Sequence, residues 1–258
     1  MKREIEYMRL DKFLCELNIG SRSQVKELIR HGKVSVNNAV VKTADLKIDE
    51  SKDIVCVQGQ TLSYRKFYYY MLNKPAGVVS ATQDNFSDTV IGLLRPEDRR
   101  TDLFPVGRLD KDTEGLLLLT NDGALAHRLL SPGRHVDKTY HVTIEHALTA
   151  QEIQQLEQGV DIGEDKLTLP ARVEVLSPET ELLLTIHEGK FHQVKRMLFA
   201  VNNLVTALRR TAFGGLKLDG ALAPGEYRLL IYFRLTETIS PIYVFKRTRI
   251  LRRKHSTH

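Results

Sequence analysis

The chain of 258 residues has no tryptophan, only two cysteines and no long apolar run. Cys15 and Cys56 have no Cys or His at metal-ligand spacing around them, so both are expected to be buried, reduced thiols. No segment approaches the roughly 18 consecutive apolar residues that a membrane span requires. The first residues are basic, but no apolar segment follows them, which argues against a secretory signal. We therefore expect a cytoplasmic protein without a membrane segment.

The net positive charge is concentrated at one end of the chain. The formal net charge is +6, and residues 246–258 contain six lysines and arginines without an acidic residue. These six charges equal the whole excess, so the rest of the chain is neutral overall. Any affinity of that remainder for nucleic acid must then come from local clusters of cations, because phosphate binding depends on where the charges lie.

Residues 8–62 have the pattern of a small α/β unit. Apolar residues recur at helical spacing from Leu10 to Leu17, which predicts a first helix. A second helix is expected to follow Ser21, whose side chain can form a capping box with Gln24. Alternating valines around an Asn-Asn pair come next and predict a β-hairpin.

One face of the second predicted helix is basic. Arg22, Lys26 and Arg30 are spaced four residues apart, opposite an apolar face, and Lys33 follows soon after. Cations at such spacing suit the phosphates of a nucleic acid. A charged row opposite an apolar row is also typical of any solvated helix. The pattern alone leaves both interpretations open.

Residues 67–230 have longer strand-like segments separated by loops and a few helices. This pattern predicts a mixed α+β domain with a mainly antiparallel sheet. Residues 231–258 form a basic extension that alternates apolar residues before its cationic end. Three explanations of this extension stay open: an RNA-gripping element, a disordered tail, or an altered reading frame near the end of the gene.

Three acidic residues at alternate positions precede a short apolar strand in the second domain. They are Asp110, Asp112 and Glu114, within a segment that runs from Gly107 to Gly123. A solvated acidic turn and a catalytic carboxylate beside an arginine both fit. A calcium loop of EF-hand type does not, because its twelfth position holds Asn121 where a bidentate glutamate is needed and a strand follows in place of a helix.

The amino-terminal unit resembles the RNA-binding domain of ribosomal protein S4 type. The likeness rests on Met-Arg-Leu-Asp-Lys-Phe-Leu at 8–14, Ser-Arg-Ser-Gln-Val at 21–25, and Ile-Arg-His-Gly-Lys-Val-Ser-Val-Asn at 29–37. The resemblance implies structured RNA as the partner and assigns RNA contacts to Arg22, Lys26, Arg30 and Lys33. It does not say what is done to that RNA.

The second domain resembles the family of the ribosomal small-subunit pseudouridine synthase A. Five segments match in order: Leu-Asn-Lys-Pro-Ala-Gly-Val at 72–78, Gly-Arg-Leu-Asp at the start of 107–123, Lys-Thr-Tyr at 138–140, Glu-Gly-Lys-Phe-His-Gln-Val-Lys-Arg-Met at 188–197, and the closing segment around 205–214. Each segment alone is only weakly specific for this family, but five segments in the same order make the likeness strong. With the amino-terminal domain it spans about residues 8 to 230.

The resemblance implies a catalytic role for four residues. Asp110 would be the catalytic carboxylate at the ribose, either by adding to the sugar or by abstracting a proton to give a glycal. Arg108 would fill the space left by a flipped-out nucleotide or hold the displaced strand. Tyr140 would stack on the extruded uracil and take part in proton transfer at its carbon 5. Lys195 would pair with Asp110 and keep it ionised, while Asp112, Glu114 and His192 are expected to have no chemical role.

The same resemblance implies isomerisation of a uridine in ribosomal RNA, with neither cofactor nor metal. A lysine at position 195 resembles the small-subunit branch and so favours 16S over 23S RNA. The partner would be ribosomal RNA or an assembling subunit, and we expect a monomer. An alternative from another class is a non-catalytic S4-domain RNA-binding or ribosome-assembly factor. Retention of Asp110, Tyr140 and Lys195 argues against that alternative.

Overall fold

A computed structural model describes residues 7–50, 52–62, 65–134, 136–234 and 243–251. The chain divides between Lys66 and Phe67 into two compact units. Among the residues described, no helix is both long enough and apolar enough to span a bilayer.

The amino-terminal unit combines two helices with two small antiparallel sheets. Its helices are α1 (Leu10–Glu16) and α2 (Arg22–Arg30). Its strands are β1 (Tyr7–Arg9), β2 (Val34–Val36), β3 (Ala39–Val40), β4 (Lys47–Asp49), β5 (Val55–Val57) and β6 (Gln60–Thr61). β1 pairs with β4, and the other four are ordered β3-β2-β5-β6.

The local sequence explains how this unit is built. The Ser21 side chain accepts a hydrogen bond from the Gln24 N–H, and the Gln24 side-chain oxygen accepts one from the Ser21 N–H, so the predicted capping box begins α2. Asn37 and Asn38 both have positive φ, which suits the tight turn between β2 and β3. Val25 and Ile29 of α2 pack on a core that includes Phe13. Cys15 and Cys56 are free thiols but only half-buried, so the expectation of burial was wrong.

The second unit is built around one large sheet. Its strands are β7 (Tyr69–Lys74), β8 (Phe104–Pro105), β9 (Glu114–Thr120), β10 (Lys138–Ile144), β11 (Arg172–Val175), β12 (Glu181–Ile186), β13 (Val205–Phe213), β14 (Leu216–Lys217), β15 (Tyr227–Arg234) and β16 (Tyr243–Leu251). The order is β11-β12-β10-β13-β9-β7-β15-β16, with β14 beside β13 and β8 beside β9. The β9–β13 pair is parallel and the other pairs are antiparallel. The predicted α+β class with a mainly antiparallel sheet is thus confirmed.

Helices and apolar clusters lie around this sheet. The helices are α3 (Gly123–Leu130), α4 (Ala150–Gln158) and α5 (Gln193–Ala200), with 3-10 turns at Pro96–Asp98 and Pro132–Arg134. Central strand β9 is buried on both faces because alternate leucines join different cores: Leu117 and Leu119 belong to one, Leu116 and Leu118 to the other. This two-sided burial explains why β9 is continuously apolar.

The carboxyl-terminal extension begins with strands. β15 pairs with β7 on one side and with β16 on the other, so residues 243–251 add an edge strand to the sheet. Lys246, Arg247 and Arg249 lie along β16. The remaining basic residues of the extension, Arg252, Arg253 and Lys254, are outside the described residues.

Candidate active site

Asp110 lies on the loop that joins β8 to β9, and buried contacts fix that loop. Leu109 is buried, and Ser80 Oγ bonds both its carbonyl oxygen at 2.8 Å and its N–H at 3.0 Å. The N–H of Thr113 donates to the carbonyl oxygen of Asp110 at 3.1 Å. Asp110 itself has a side chain that is 29% exposed. The carboxylate is therefore presented to solvent from a rigid loop.

Lys74, at the end of β7, binds backbone carbonyl oxygens of the same loop. Its side chain is fully buried, and its ammonium donates to the carbonyl oxygens of Pro75, Lys111 and Thr113 at 3.1, 3.2 and 2.7 Å. Burial lowers the pKa of Lys74 to about 8, although the nearby carboxylates led by Asp112 oppose the shift. Three carbonyl acceptors match the three donors of a lysine ammonium.

Lys195 of α5 reaches two carboxylates of the loop. Its Nζ lies 3.3 Å from Asp110 Oδ2 and 2.7 and 2.8 Å from the two oxygens of Asp112. Burial lowers the pKa of Lys195, but its hydrogen bond to Asp112 and the charges of both aspartates outweigh that effect and raise the pKa overall. The hydrogen bond from Lys195 in turn lowers the pKa of Asp112. Lys195 is thus an ammonium ion shared by two carboxylates.

His192 lies on the other side of Asp110 and was not predicted to be part of the site. Its Nε2 is 3.5 Å from Asp110 Oδ1, and its ring stacks on that of Phe191 with a 3.8 Å centroid separation. Its φ of +49° is in the left-handed region, uncommon for residues other than glycine and often found at functional sites. Phe191 precedes α5 and its side chain is 71% exposed.

Tyr140 lines a small cavity together with Asp110. The cavity has a volume of about 120 Å³, and Tyr140 in its wall is 8% exposed. Apolar contributions come from Leu109, Ile186, Val194 and Leu208. Arg108 is exposed and lines the same cavity, so all four residues predicted for catalysis are found together.

The four basic residues predicted to bind RNA lie on the amino-terminal unit. Arg22, Lys26, Arg30 and Lys33 are all exposed. Arg30 is engaged by Glu27, whose two carboxylate oxygens lie 2.5 and 2.7 Å from its Nη2. The row is thus solvent-facing, with one of its cations already paired.

Sequence reasoning missed two further contributions to the site. Asp112 was expected to have no chemical role, yet it is the nearer partner of Lys195. The two residues are 83 positions apart in the sequence, so no local pattern indicates the contact. Arg210 lines the cavity too, although it is 2% exposed within β13. No group of three metal-ligating side chains occurs in the part of the chain that the structure describes.

A carboxylate paired with an ammonium ion at the wall of a small cavity can act in nucleophilic or acid–base catalysis, so the site has the make-up of an enzyme. Comparison with known proteins supports that class. The sequence profile described as RNA pseudouridylate synthase matches residues 68–200, and that of the S4 domain matches residues 8–55. A solved structure titled as a crystal structure of pseudouridylate synthase has 38% identity and a TM-score of 0.61, and covers 87% of this chain and 96% of its own.

Curated relatives are similar over most of their length. A Bacillus subtilis protein described as an uncharacterized RNA pseudouridine synthase is 50% identical over 226 residues, which are 86% of this chain and 95% of that protein. The ribosomal small subunit pseudouridine synthases A of Vibrio cholerae and Escherichia coli are 45% and 42% identical, each across 86% of this chain and 96% of theirs. The chain belongs to the RNA pseudouridylate synthase family and contains an S4 domain.

Proposed function

We propose that this protein converts one uridine of the small-subunit ribosomal RNA to pseudouridine, with Asp110 as the catalytic carboxylate. The names of the Vibrio and Escherichia relatives support the choice of RNA. The proposed catalytic role of Asp110 rests on one observation: its carboxylate lies at the wall of the cavity, 3.3 Å from the ammonium of Lys195. We also propose that the protein is a monomer and acts in the cytoplasm.

The reaction requires the target nucleotide to leave the RNA stack, at a cost of a few kcal/mol. Arg108, exposed at the cavity, occupies the space that the nucleotide vacates. Tyr140 stacks on the extruded uracil, because its aromatic ring lines the cavity next to Asp110. The basic residues of the amino-terminal unit bind phosphates of the same RNA and orient it. They are Arg22, Lys26, Arg30 and Lys33.

Asp110 then acts at the ribose. Its carboxylate either bonds to the anomeric carbon or removes the neighbouring proton, and in both routes the bond from the sugar to the ring nitrogen breaks. The uracil turns and forms a bond from its carbon 5 to the anomeric carbon, while the bond from Asp110 to that carbon breaks or, in the other route, Asp110 returns the proton to the neighbouring carbon. Carbon 5 loses its proton and the freed ring nitrogen gains one, so substrate and product are isomers. Lys195 holds the Asp110 carboxylate beside the sugar throughout.

The test is to incubate the protein with 16S and 23S transcripts and partly assembled subunits, and to map pseudouridine by chemical labelling. We expect one product site in 16S RNA. Asp110→Asn should make no detectable product while binding RNA as tightly as the wild type. Asp165→Asn, an exposed acid away from the cavity, is the matched control and should be fully active. RNA binding without product by the wild type would support a non-catalytic assembly factor instead.

A further inference from the structure

The cavity beside Asp110 contains buried polar groups that the mechanism above does not use. Arg210 Nε donates to the carbonyl oxygen of Leu116 at 2.8 Å, but its buried Nη2 has no hydrogen-bond partner in the described chain. Thr113 Oγ1 is likewise buried and unpartnered. Lys138 is 9% exposed and donates to the carbonyl oxygen of Val136 at 2.8 Å. All three residues line the cavity.

Strand register brings the two cations to one face of the sheet. Successive side chains of β10 alternate, so Lys138 and Tyr140 lie on the same side. Tyr140 pairs directly with Arg210 of β13, and directly paired residues also share a face. The ammonium of Lys138 and the guanidinium of Arg210 lie 5.5 and 5.1 Å from the ring centroid of Phe213. Lys138, Tyr140 and Arg210 together form the floor of the cavity.

Acids lie near these two positive charges without pairing with them: the charges of Asp137 and Glu188 act on Lys138, and Asp110 lines the same cavity. Neither Lys138 nor Arg210 forms an ion pair within the described residues, although both are at least nine-tenths buried. Burial, and then the charge of Arg210, lowers the pKa of Lys138. Buried charges without partners are costly, and sites that keep them use them to stabilise charge that develops on a ligand.

The shape of the cavity indicates which part of the RNA supplies that charge. Apolar side chains, including Ile186 and Leu208, form part of its walls beside the polar groups, and its volume of about 120 Å³ suits a single ring. A phosphate would instead remain at an exposed surface. Uracil has two carbonyl oxygens, and these share the negative charge when the bond to the sugar breaks, because the electron pair of that bond stays on the ring.

We infer that Lys138 and Arg210 form an anion site for the carbonyl oxygens of the target uracil. They stabilise the detached, negatively charged base until its carbon 5 bonds to the anomeric carbon. The base loses its negative charge when carbon 5 forms that bond, as Asp110 leaves the anomeric carbon or returns the proton it removed. Carbon 5 then releases one proton and the ring nitrogen accepts one, so charge and electrons balance within the isomerisation. This inference rests on the proposed function and adds two residues to the chemistry of that site.

The experiment compares two RNAs of identical sequence, with uridine or 5-fluorouridine at the mapped target. Fluorine withdraws electrons and makes the departing base a weaker base that needs less stabilisation. Conversion of the target nucleoside is followed in single turnovers at saturating RNA, by nuclease digestion and chromatographic separation of the unreacted and the rearranged nucleoside. For Lys138→Met we expect a loss of about 100-fold with uridine, and of about 10-fold or less with 5-fluorouridine.

Variants of the second cation separate charge from structure. Arg210→Met should show the same difference between the two RNAs, and Arg210→Lys, which keeps the charge, should lie closer to the wild type on both. If Arg210→Met does not fold, the rates of Lys138→Met and Arg210→Lys with the two RNAs test the inference. Lys217→Met removes an exposed cation from neighbouring strand β14 and should leave both rates unchanged.

Two results would overturn the inference while the proposed function stands. One is equal slowing of both RNAs, which indicates a structural role for the cations. The other is weaker RNA binding with a shallower salt dependence and an unchanged rate at saturation, which indicates a phosphate contact. A wild-type protein that forms no pseudouridine on either RNA would overturn the proposed function together with the inference.

Discussion

Lys195 lies closer to Asp112 than to Asp110: its Nζ is 2.7 Å from Asp112 Oδ1 and 3.3 Å from Asp110 Oδ2. The nearer carboxylate is on a side chain that is 72% exposed, whereas that of Asp110 is 29% exposed. Water screens the exposed pair, so its distance overstates its strength. The less exposed pair is the one that lies at the cavity.

Replacing the nearer carboxylate should therefore matter little. Exposed ion pairs contribute up to about 1 kcal/mol, and we expect Asp112→Asn to keep the rate of pseudouridine formation within about fivefold of the wild type. Lys195→Met should lose about 100-fold or more, because Asp110 is then left without its cation. Single-turnover rates measure both. A loss in Asp112→Asn as deep as that in Lys195→Met would show that Asp112 takes part in the chemistry.

Lys74 should give the protein a pH-dependent stability. Its pKa is about 8 in the folded chain and about 10.4 in an unfolded one. The folded state thus holds fewer protons between these values, and stability rises with pH there. The penalty of burying the ammonium is complete below about pH 8 and is relieved as the pH approaches 10.4. Its full size is roughly 3 kcal/mol.

The comparison with Lys74→Met isolates this contribution. Urea unfolding at a series of pH values gives the free energy of unfolding of each protein. We expect the wild type to gain on the variant between pH 8 and 10.4, with a constant difference below pH 7. A difference that is flat across the whole range would mean that Lys74 keeps its ordinary pKa.

The catalytic loop and the cavity differ in how far the sequence reveals them. The motif around Asp110 and the Lys-Thr-Tyr segment locate two site residues by resemblance, and alternation along β10 places Tyr140 on an inward face. That alternation also puts Lys138 on the inward face, so the sequence contains a signal for this residue of the cavity as well. Contacts of His192 and Asp112 depend on how α5 packs against the loop, which no local pattern encodes.

The RNA-binding prediction for α2 has a direct test in the salt dependence of binding. Replacing Arg22, Lys26 and Arg30 together by glutamine should weaken RNA binding and lower the slope of log Kd against log salt by roughly 2, since fewer counterions are released. Three free contacts would give a larger change, but Glu27 already engages Arg30.

A matched variant of the same helix sharpens this test. Glu27→Gln frees Arg30 and makes the net charge of the chain more positive by one, and we expect it to tighten RNA binding and steepen the salt slope. If the triple variant and Glu27→Gln both leave affinity and slope unchanged, the basic row of α2 is merely solvated. Filter binding to 16S fragments at several salt concentrations measures both quantities.

Gly115 is where the loop of Asp110 enters the sheet, and no other residue fits there. Its φ is +99°, and a Cβ at this position would lie 2.3 Å from the carbonyl oxygen of Arg210 on β13. Alanine would therefore push β9 and β13 apart at their parallel pairing. We expect Gly115→Ala to destabilise the second unit by roughly 3 kcal/mol or more.

Gly220 provides the control for that substitution, since a Cβ there would meet no atom within 4 Å and its φ is not in the left-handed region. Tyrosine fluorescence can follow urea unfolding, because the chain has no tryptophan and seven of its nine tyrosines lie after residue 66. Gly220→Ala should unfold as the wild type does. Wild-type stability in Gly115→Ala would mean that β9 and β13 can separate at this point, and the floor of the cavity, which includes Arg210, would then be less rigid than its contacts indicate.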